Sequence, residues 1–141
     1  MSKVDPIERA TQKKVINLFK EELGYAYLGD WQDRENNSNI EESLMQIYLT
    51  KNGYNDILIS KAIQKLKDTA YNDNENLYEK NKKVYELLRA GVSVKENASK
   101  QSESVQLFDS VNFENNDFAV AEEVTFRGHK KKRPDVVIYI N

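Results

Sequence analysis

Lys130-Lys131-Lys132-Arg133-Pro134-Asp135-Val136-Val137-Ile138-Tyr139-Ile140-Asn141 decides how the rest of this chain is read. A basic stretch meets a proline, and the proline meets an acid followed by an unbroken apolar run. Proline carries no amide hydrogen, so it stands at or just before the first residue of a strand. That places Asp135 at the strand's mouth, with its carboxylate within reach of solvent. Val136 to Ile140 is β-branched or aromatic throughout and reads as a buried strand. A carboxylate between an apolar strand and a group of cations is costly unless something uses it.

Two roles for Asp135 are open on these residues alone. It is either a turn acid paired with Arg133 or a nearby lysine, or a ligand for Mg²⁺ in a phosphodiesterase. In the second case Lys130, Lys131, Lys132 and Arg133 grip DNA phosphates; in the first they form a solvated loop. His129, inside that loop, is the only histidine, and without neighbouring His or Cys it is a poor metal ligand.

Immediately upstream, Phe118 to Phe126 reads as another strand, with its pattern interrupted at Glu122-Glu123. Adjacent antiparallel strands bring carboxylates together, so one of this pair, Glu123, is a candidate metal ligand beside Asp135. Only one of two successive residues can face that side. Val105 to Phe108 is a further strand, and Phe113 to Asp117 contains a turn. Three strands so close in sequence predict an antiparallel meander. Val92 to Val94 alternates briefly, and the polar run from Glu96 to Ser104 reads as a linker or mobile loop.

The chain before Gly91 has helical periodicity instead. Asp5-Pro6-Ile7-Glu8 is a helix start, with Asp5 as N-cap, Pro6 in the first turn and Glu8 completing a capping box. That helix is expected to run to Leu23 and stop at Gly24, after a frayed Met1 to Val4. Tyr25 to Leu28 is a short strand or extended arm, and Gly29-Asp30-Trp31 turns the chain into a polar loop. Ser38-Asn39-Ile40-Glu41 repeats the capping-box pattern. It precedes a helix with Ile40, Leu44, Ile47 and Tyr48 inward that ends at Asn52-Gly53. A third helix runs from near Asn55 to Ala70, burying Ile59, Ala62, Ile63 and Leu66. A fourth runs from about Glu75 to Ala90, burying Leu77, Val84, Leu87 and Leu88. Such stripes are core, not cofactor boxes.

Composition bounds the function. A chain of 141 residues hides about two-thirds of its unfolded surface, enough for a core. Its net charge of −2 exerts no global pull on nucleic acid, so any DNA contact must be local. There is no cysteine, which excludes disulfides and thiolate metal sites. No stretch is apolar enough for a membrane span or a signal peptide. No glycine-rich phosphate loop is present, so this stretch is not expected to bind ATP that way. Asn141 directly follows a strong strand and is a favoured residue of a tight hairpin turn. The sequence therefore reads as cut within a hairpin, and the exposed strand edge is expected to self-associate or disorder.

Several stretches together resemble one family, the N-terminal end of the restriction (R) subunit of type I restriction–modification enzymes. They are Glu8-Arg9-Ala10-Thr11-Gln12, Leu23-Gly24-Tyr25 with Tyr27-Leu28-Gly29-Asp30-Trp31, Asn37-Ser38-Asn39-Ile40-Glu41-Glu42, and Asn81 to Arg89 with Gly91-Val92. Asn116-Asp117-Phe118, Ala121-Glu122-Glu123-Val124-Thr125 and Lys132-Arg133-Pro134-Asp135 complete the set. Their order and spacing match from about residue 6 onward.

The resemblance implies a PD-(D/E)xK endonuclease domain in which Asp135 binds Mg²⁺ and Glu8 lends a further carboxylate. The Glu and Lys of the family's E-x-K element lie on the next strand, beyond Asn141. It also implies an ATP-driven motor elsewhere in the subunit, DNA as substrate, and modification and specificity subunits as partners; the absence of cysteine fits a reducing cytoplasm. Asp135 alone cannot assemble a metal site, so residues 1–141 by themselves are expected to be inactive. The expected fold class is α+β. Helices over residues 1–91 pack on a mainly antiparallel sheet begun by residues 105–141, an incomplete restriction-endonuclease-like core. The alternatives are a non-catalytic interaction module that touches DNA or a partner through the basic loop, and another PD-(D/E)xK nuclease.

Overall fold

In the computed structural model, residues 5–128 and 130–141 are described; the expectations for Met1 to Val4 and for His129 lie outside them. The elements, in chain order, are α1 (Pro6–Asn17), continued by a π-helical turn (Leu18–Glu22), and β1 (Ala26–Asp30). Then come α2 (Glu42–Lys51), α3 (Asp56–Ala70), α4 (Leu77–Ala90), β2 (Val92–Val94) and β3 (Glu103–Val105). A 3₁₀ turn (Phe113–Asn115), β4 (Phe118–Glu122) and β5 (Val136–Ile140) follow. The fold class is α+β, as expected. The chain divides into two compact units: the chain up to Asn39 with Asp117–Ile140, and Ile40–Asn116 with Asn141.

In the first unit, β1, β4 and β5 form a sheet in the order β1-β4-β5. β4 and β5 are antiparallel, running from Phe118 opposite Ile140 to Glu122 opposite Val136. β1 pairs with the other edge of β4 in parallel, with Ala26 opposite Ala119 and Asp30 opposite Glu122. The meander expected from sequence proximity does not form. β3 pairs with β2 in a separate antiparallel sheet, and the far-upstream β1 takes its place beside β4. The reason lies in β4 itself. Ala119, Val120 and Ala121 are all buried, so this strand is apolar on both faces and needs a partner on each edge. Gly29 and Asp30, expected to turn the chain, belong to β1. The register shifts between Tyr27 and Gly29, and Gly29 takes φ 108° there, a conformation that glycine adopts without a Cβ penalty.

α1 begins as read. Asp5 Oδ1 accepts from the Ile7 amide at 2.9 Å, and Pro6 stands in the first turn. Helical winding reaches Glu22, and Gly24 follows at φ 71°. Phe19, Tyr25 and Phe118 then stack in series, with centroid separations of 5.1 and 5.2 Å.

The second unit has its own core: Met45, Tyr48 and Leu49 of α2; Leu58, Ile59, Ala62, Ile63 and Leu66 of α3; and Val92, Val105 and Leu107. α3 is the best-read helix. Asn55 Oδ1 caps it through the Leu58 amide at 2.9 Å, and all four residues expected inward are buried. Two other stripes are rotated from expectation. In α2 the buried residues are Met45, Tyr48 and Leu49, while Ile47 is 62% exposed. In α4 Leu77 is 69% exposed and Leu88 also faces out, leaving Val84 and Leu87 as the packing residues. Ser38 to Glu41 does not build the expected capping box: Glu41 occupies the N-cap position without a side-chain cap. Instead Asn76 Oδ1 caps α4 through the Glu79 amide at 2.8 Å. Gly91 closes α4 at φ 87°. A Cβ there would collide with Ser104 and Gln106, whose side chains donate to the last helical carbonyl, Ala90 O, at 3.1 and 3.2 Å.

β5 lies at the edge of its sheet, with Ile138 and Ile140 exposed. An apolar edge strand with no further strand paired to it among the described residues invites a second strand. The chain is therefore expected to self-associate reversibly at micromolar concentration, and Ile138→Lys to shift it toward monomer. Sedimentation showing the same monomeric distribution for both proteins would exclude pairing through this edge.

Candidate functional site

The site is built on the β4–β5 hairpin. Beyond Glu122 and Val136 the two strands stay in register as far as an isolated bridge between Phe126 and Lys132. There the Phe126 amide donates to Lys132 O at 2.7 Å, and the Lys132 amide returns the bond at 3.0 Å. Pro134 interrupts the ladder because it has no amide hydrogen to return. Its carbonyl still accepts from the Val124 amide at 3.2 Å. The stretch from Lys132 to Asp135 is thus a tethered part of the hairpin.

Asp135 stands just before β5, exposed. Its carbonyl accepts from the Glu123 amide at 2.9 Å. Among the described residues its carboxylate has no hydrogen bond or ion pair. The arginine expected to neutralise it faces elsewhere: Arg133 Nε lies 2.9 Å from Glu123 Oε2. Glu123, only 8% exposed, takes φ 51°, a left-handed conformation that ends β4. Its side chain meets Arg133, and Oε2 accepts no hydrogen bond of regular geometry despite that proximity. Lys130, Lys131 and Lys132 are exposed on the loop.

Glu8 is exposed in the first turn of α1. The capping-box bond back to Asp5 does not form, and the N-cap carboxylate serves Ile7 instead. The acids therefore do not converge. Among the described residues, no three His, Cys, Asp or Glu side chains group closely enough to hold a metal ion. Mg²⁺ is a hard cation that takes one or two carboxylates together with waters and substrate phosphate oxygens. Asp135 suits one such position. The remaining side chains here do not complete a cage.

A second feature lies in the same unit. α1, β1 and the end of β4 enclose a cleft of about 320 Å³ lined by Gln12, Lys13, Tyr27, Asp30, Glu122 and Glu123, among others. The Tyr27 hydroxyl donates to Glu122 Oε2, Gln12 Nε2 reaches Glu122 Oε1 at 3.5 Å, and Lys20 Nζ sits 4.6 Å from the centre of the Tyr27 ring. The parallel register that sets Asp30 beside Glu122 creates this arrangement. No local pattern announces a partner so distant in the chain.

The hydrogen bond to Glu122, reinforced by burial, pushes the Tyr27 hydroxyl up to about 12. A raised pKa in the folded state means that the contact contributes fully below the ordinary tyrosine value and is lost as pH climbs toward about 12. Tyrosinate absorbance of the wild type minus that of Tyr27→Phe is expected to show one hydroxyl ionising late. A difference curve centred at the ordinary tyrosine value would remove the Tyr27–Glu122 contact.

The profile of the family described as "Type I restriction enzyme R protein N terminus" matches residues 6–141. The chain is 31% identical over 143 residues to a protein of Methanocaldococcus jannaschii named "Putative type I restriction enzyme MjaIXP endonuclease subunit". That match covers 96% of this chain and 14% of the relative, so the chain spans about one-seventh of the relative's length. No solved structure matches. Among the described residues, no helix is long and apolar enough to cross a membrane.

Proposed function

Because this chain belongs to the family of type I restriction enzyme R protein N termini, we propose that it is the leading part of a DNA-cleaving domain. In the assembled enzyme that domain hydrolyses phosphodiester bonds with Mg²⁺. The observation that carries the reading is the Asp135 carboxylate, exposed at the mouth of β5 and without a partner among the described residues. A turn acid would be neutralised by the arginine two residues away, but that arginine is committed to Glu123. A carboxylate left open beside a basic loop is free to take a cation.

Each residue has a separate task. Asp135 supplies one hard oxygen ligand, and the further ligands come from outside residues 1–141. Lys130, Lys131 and Lys132 hold the DNA backbone, a contact that weakens with salt because phosphate binding releases counterions. Bound Mg²⁺ would lower the pKa of a coordinated water and polarise the phosphate. Glu8 and Glu123 have no assigned place among the ligands: one is exposed on α1, and the other is held by an arginine. ATP hydrolysis, DNA translocation and docking of the modification and specificity subunits belong to other parts of the enzyme, which acts in the cytoplasm. The test is a parallel assay of cleavage and ATP hydrolysis with Asp135→Ala in the assembled enzyme.

A further inference from the structure

The geometry points to Glu123 as a positioning residue: with Arg133 it clamps the Lys132–Asp135 stretch so that the Asp135 carboxylate is held at the mouth of β5. The inference rests on the role proposed for Asp135 and assigns a distinct role to two other residues. Glu123 sits opposite Asp135 in the hairpin, which makes it a tempting second metal ligand. The structure puts its side chain to another use.

Three observations converge. First, Glu123 adopts φ 51°. That conformation costs about 1–2 kcal/mol for a residue with a Cβ, so the surroundings must hold it in place. Second, the distorted backbone aims the Glu123 amide at Asp135 O, at 2.9 Å, and the Val124 amide follows to Pro134 O, at 3.2 Å. These bonds bridge the place where Pro134 cannot donate to the ladder. Third, the Glu123 carboxylate is buried and faces Arg133 Nε at 2.9 Å. A buried ion pair is little screened, and removing one member leaves the other charged and unpaired. The clamp therefore holds both residues that flank Pro134, Arg133 by its side chain and Asp135 by its carbonyl. It also draws a positive charge away from Asp135, leaving that carboxylate open.

The clamp is read directly by amide exchange in the 141-residue chain, without any cleavage. In Glu123→Gln and in Arg133→Lys, exchange at the Glu123 position and at the Val124 amide is expected to accelerate about tenfold or more. The Leu58 and Ile63 amides in α3 should be unchanged. If Glu123→Gln unfolds the chain, Arg133→Lys, which keeps the charge, still reports on the geometry. Unaltered exchange at both sites in a folded variant overturns the clamp.

In the assembled enzyme, both variants are expected to lower the cleavage rate constant about a hundredfold, the scale of a misplaced reacting group. The Mg²⁺ concentration giving half-maximal cleavage should not change in either variant. The charge-reversed double variant Glu123→Arg with Arg133→Glu should recover part of the loss. A raised Mg²⁺ requirement in Glu123→Gln, absent from Arg133→Lys, would make Glu123 a ligand and overturn the positioning role. Accelerated exchange combined with full cleavage by Asp135→Ala would leave the clamp standing and remove the catalytic reading of Asp135.

Discussion

Asp135→Ala is expected to abolish DNA cleavage by the assembled enzyme, by about a thousandfold or more, the scale of losing one preorganised electrostatic group at a reacting phosphate. ATP hydrolysis and DNA translocation, which the proposed function assigns to other parts of the enzyme, should continue. The effect is expected to be large because, among the described residues, neither of the other two candidate ligands stands free beside Asp135: Glu123 is held by Arg133, and Glu8 is exposed on α1. For the same reason the 141-residue chain alone, given Mg²⁺ and DNA, should not cleave. It should bind DNA weakly, with an affinity that falls as salt rises. Replacing Lys131 and Lys132 together should weaken that binding and flatten its salt dependence without touching Asp135. Wild-type cleavage by Asp135→Ala would return the residue to a turn role. Simultaneous loss of cleavage and ATP hydrolysis would make it structural. Only loss of cleavage with a working motor agrees with the metal-ligand assignment.

Asn116→Ala is expected to destabilise the second unit by about 3 kcal/mol, the scale of orphaning buried polar partners. Asn116 is 5% exposed and serves as a hub. Its Oδ1 accepts from the Asp109 amide at 2.8 Å, from Asn141 Nδ2 at 2.9 Å and from the Tyr48 hydroxyl at 3.4 Å. Its Nδ2 donates to Asp109 O and Phe113 O, both at 2.9 Å. Asp109 in turn organises the following turn, accepting from the amides of Val111 and Asn112 and from Asn115. The Asn112 amide, then the Asn115 side chain, hold the Asp109 carboxyl below its usual value. A depressed folded-state pKa stabilises above the ordinary aspartate value and is lost as pH falls below it. The turn should therefore loosen only in acid. Urea unfolding at neutral pH measures the prediction, and Asn116→Asp separates the roles, because it keeps the acceptors but loses the donations. A midpoint for Asn116→Ala within error of the wild type would show that the hub contributes nothing net.

Local chemistry determined much of this protein before any folding was considered. Asp5 with Pro6, Asn55 and Gly91 mark helix ends by capping and backbone rules that need no tertiary context, and each stands where those rules put it. The period-3.6 stripe of α3 is legible because both faces of that helix have clear partners, core and water. Pro134 before an apolar run fixed the start of β5 and the place of Asp135. Other features depended on contacts between distant residues. Ile47 and Leu77 satisfy helical periodicity yet face solvent, because a stripe says which residues share a face but not which face is covered. β1 joined β4, and β3 did not, because a central strand with two buried faces recruits any edge that fits, however far along the chain. The use made of Glu123 was the most hidden. Its place opposite Asp135 follows from strand pairing, but the left-handed backbone that turns its carboxylate onto Arg133 exists only once the hairpin, interrupted by Pro134, has closed.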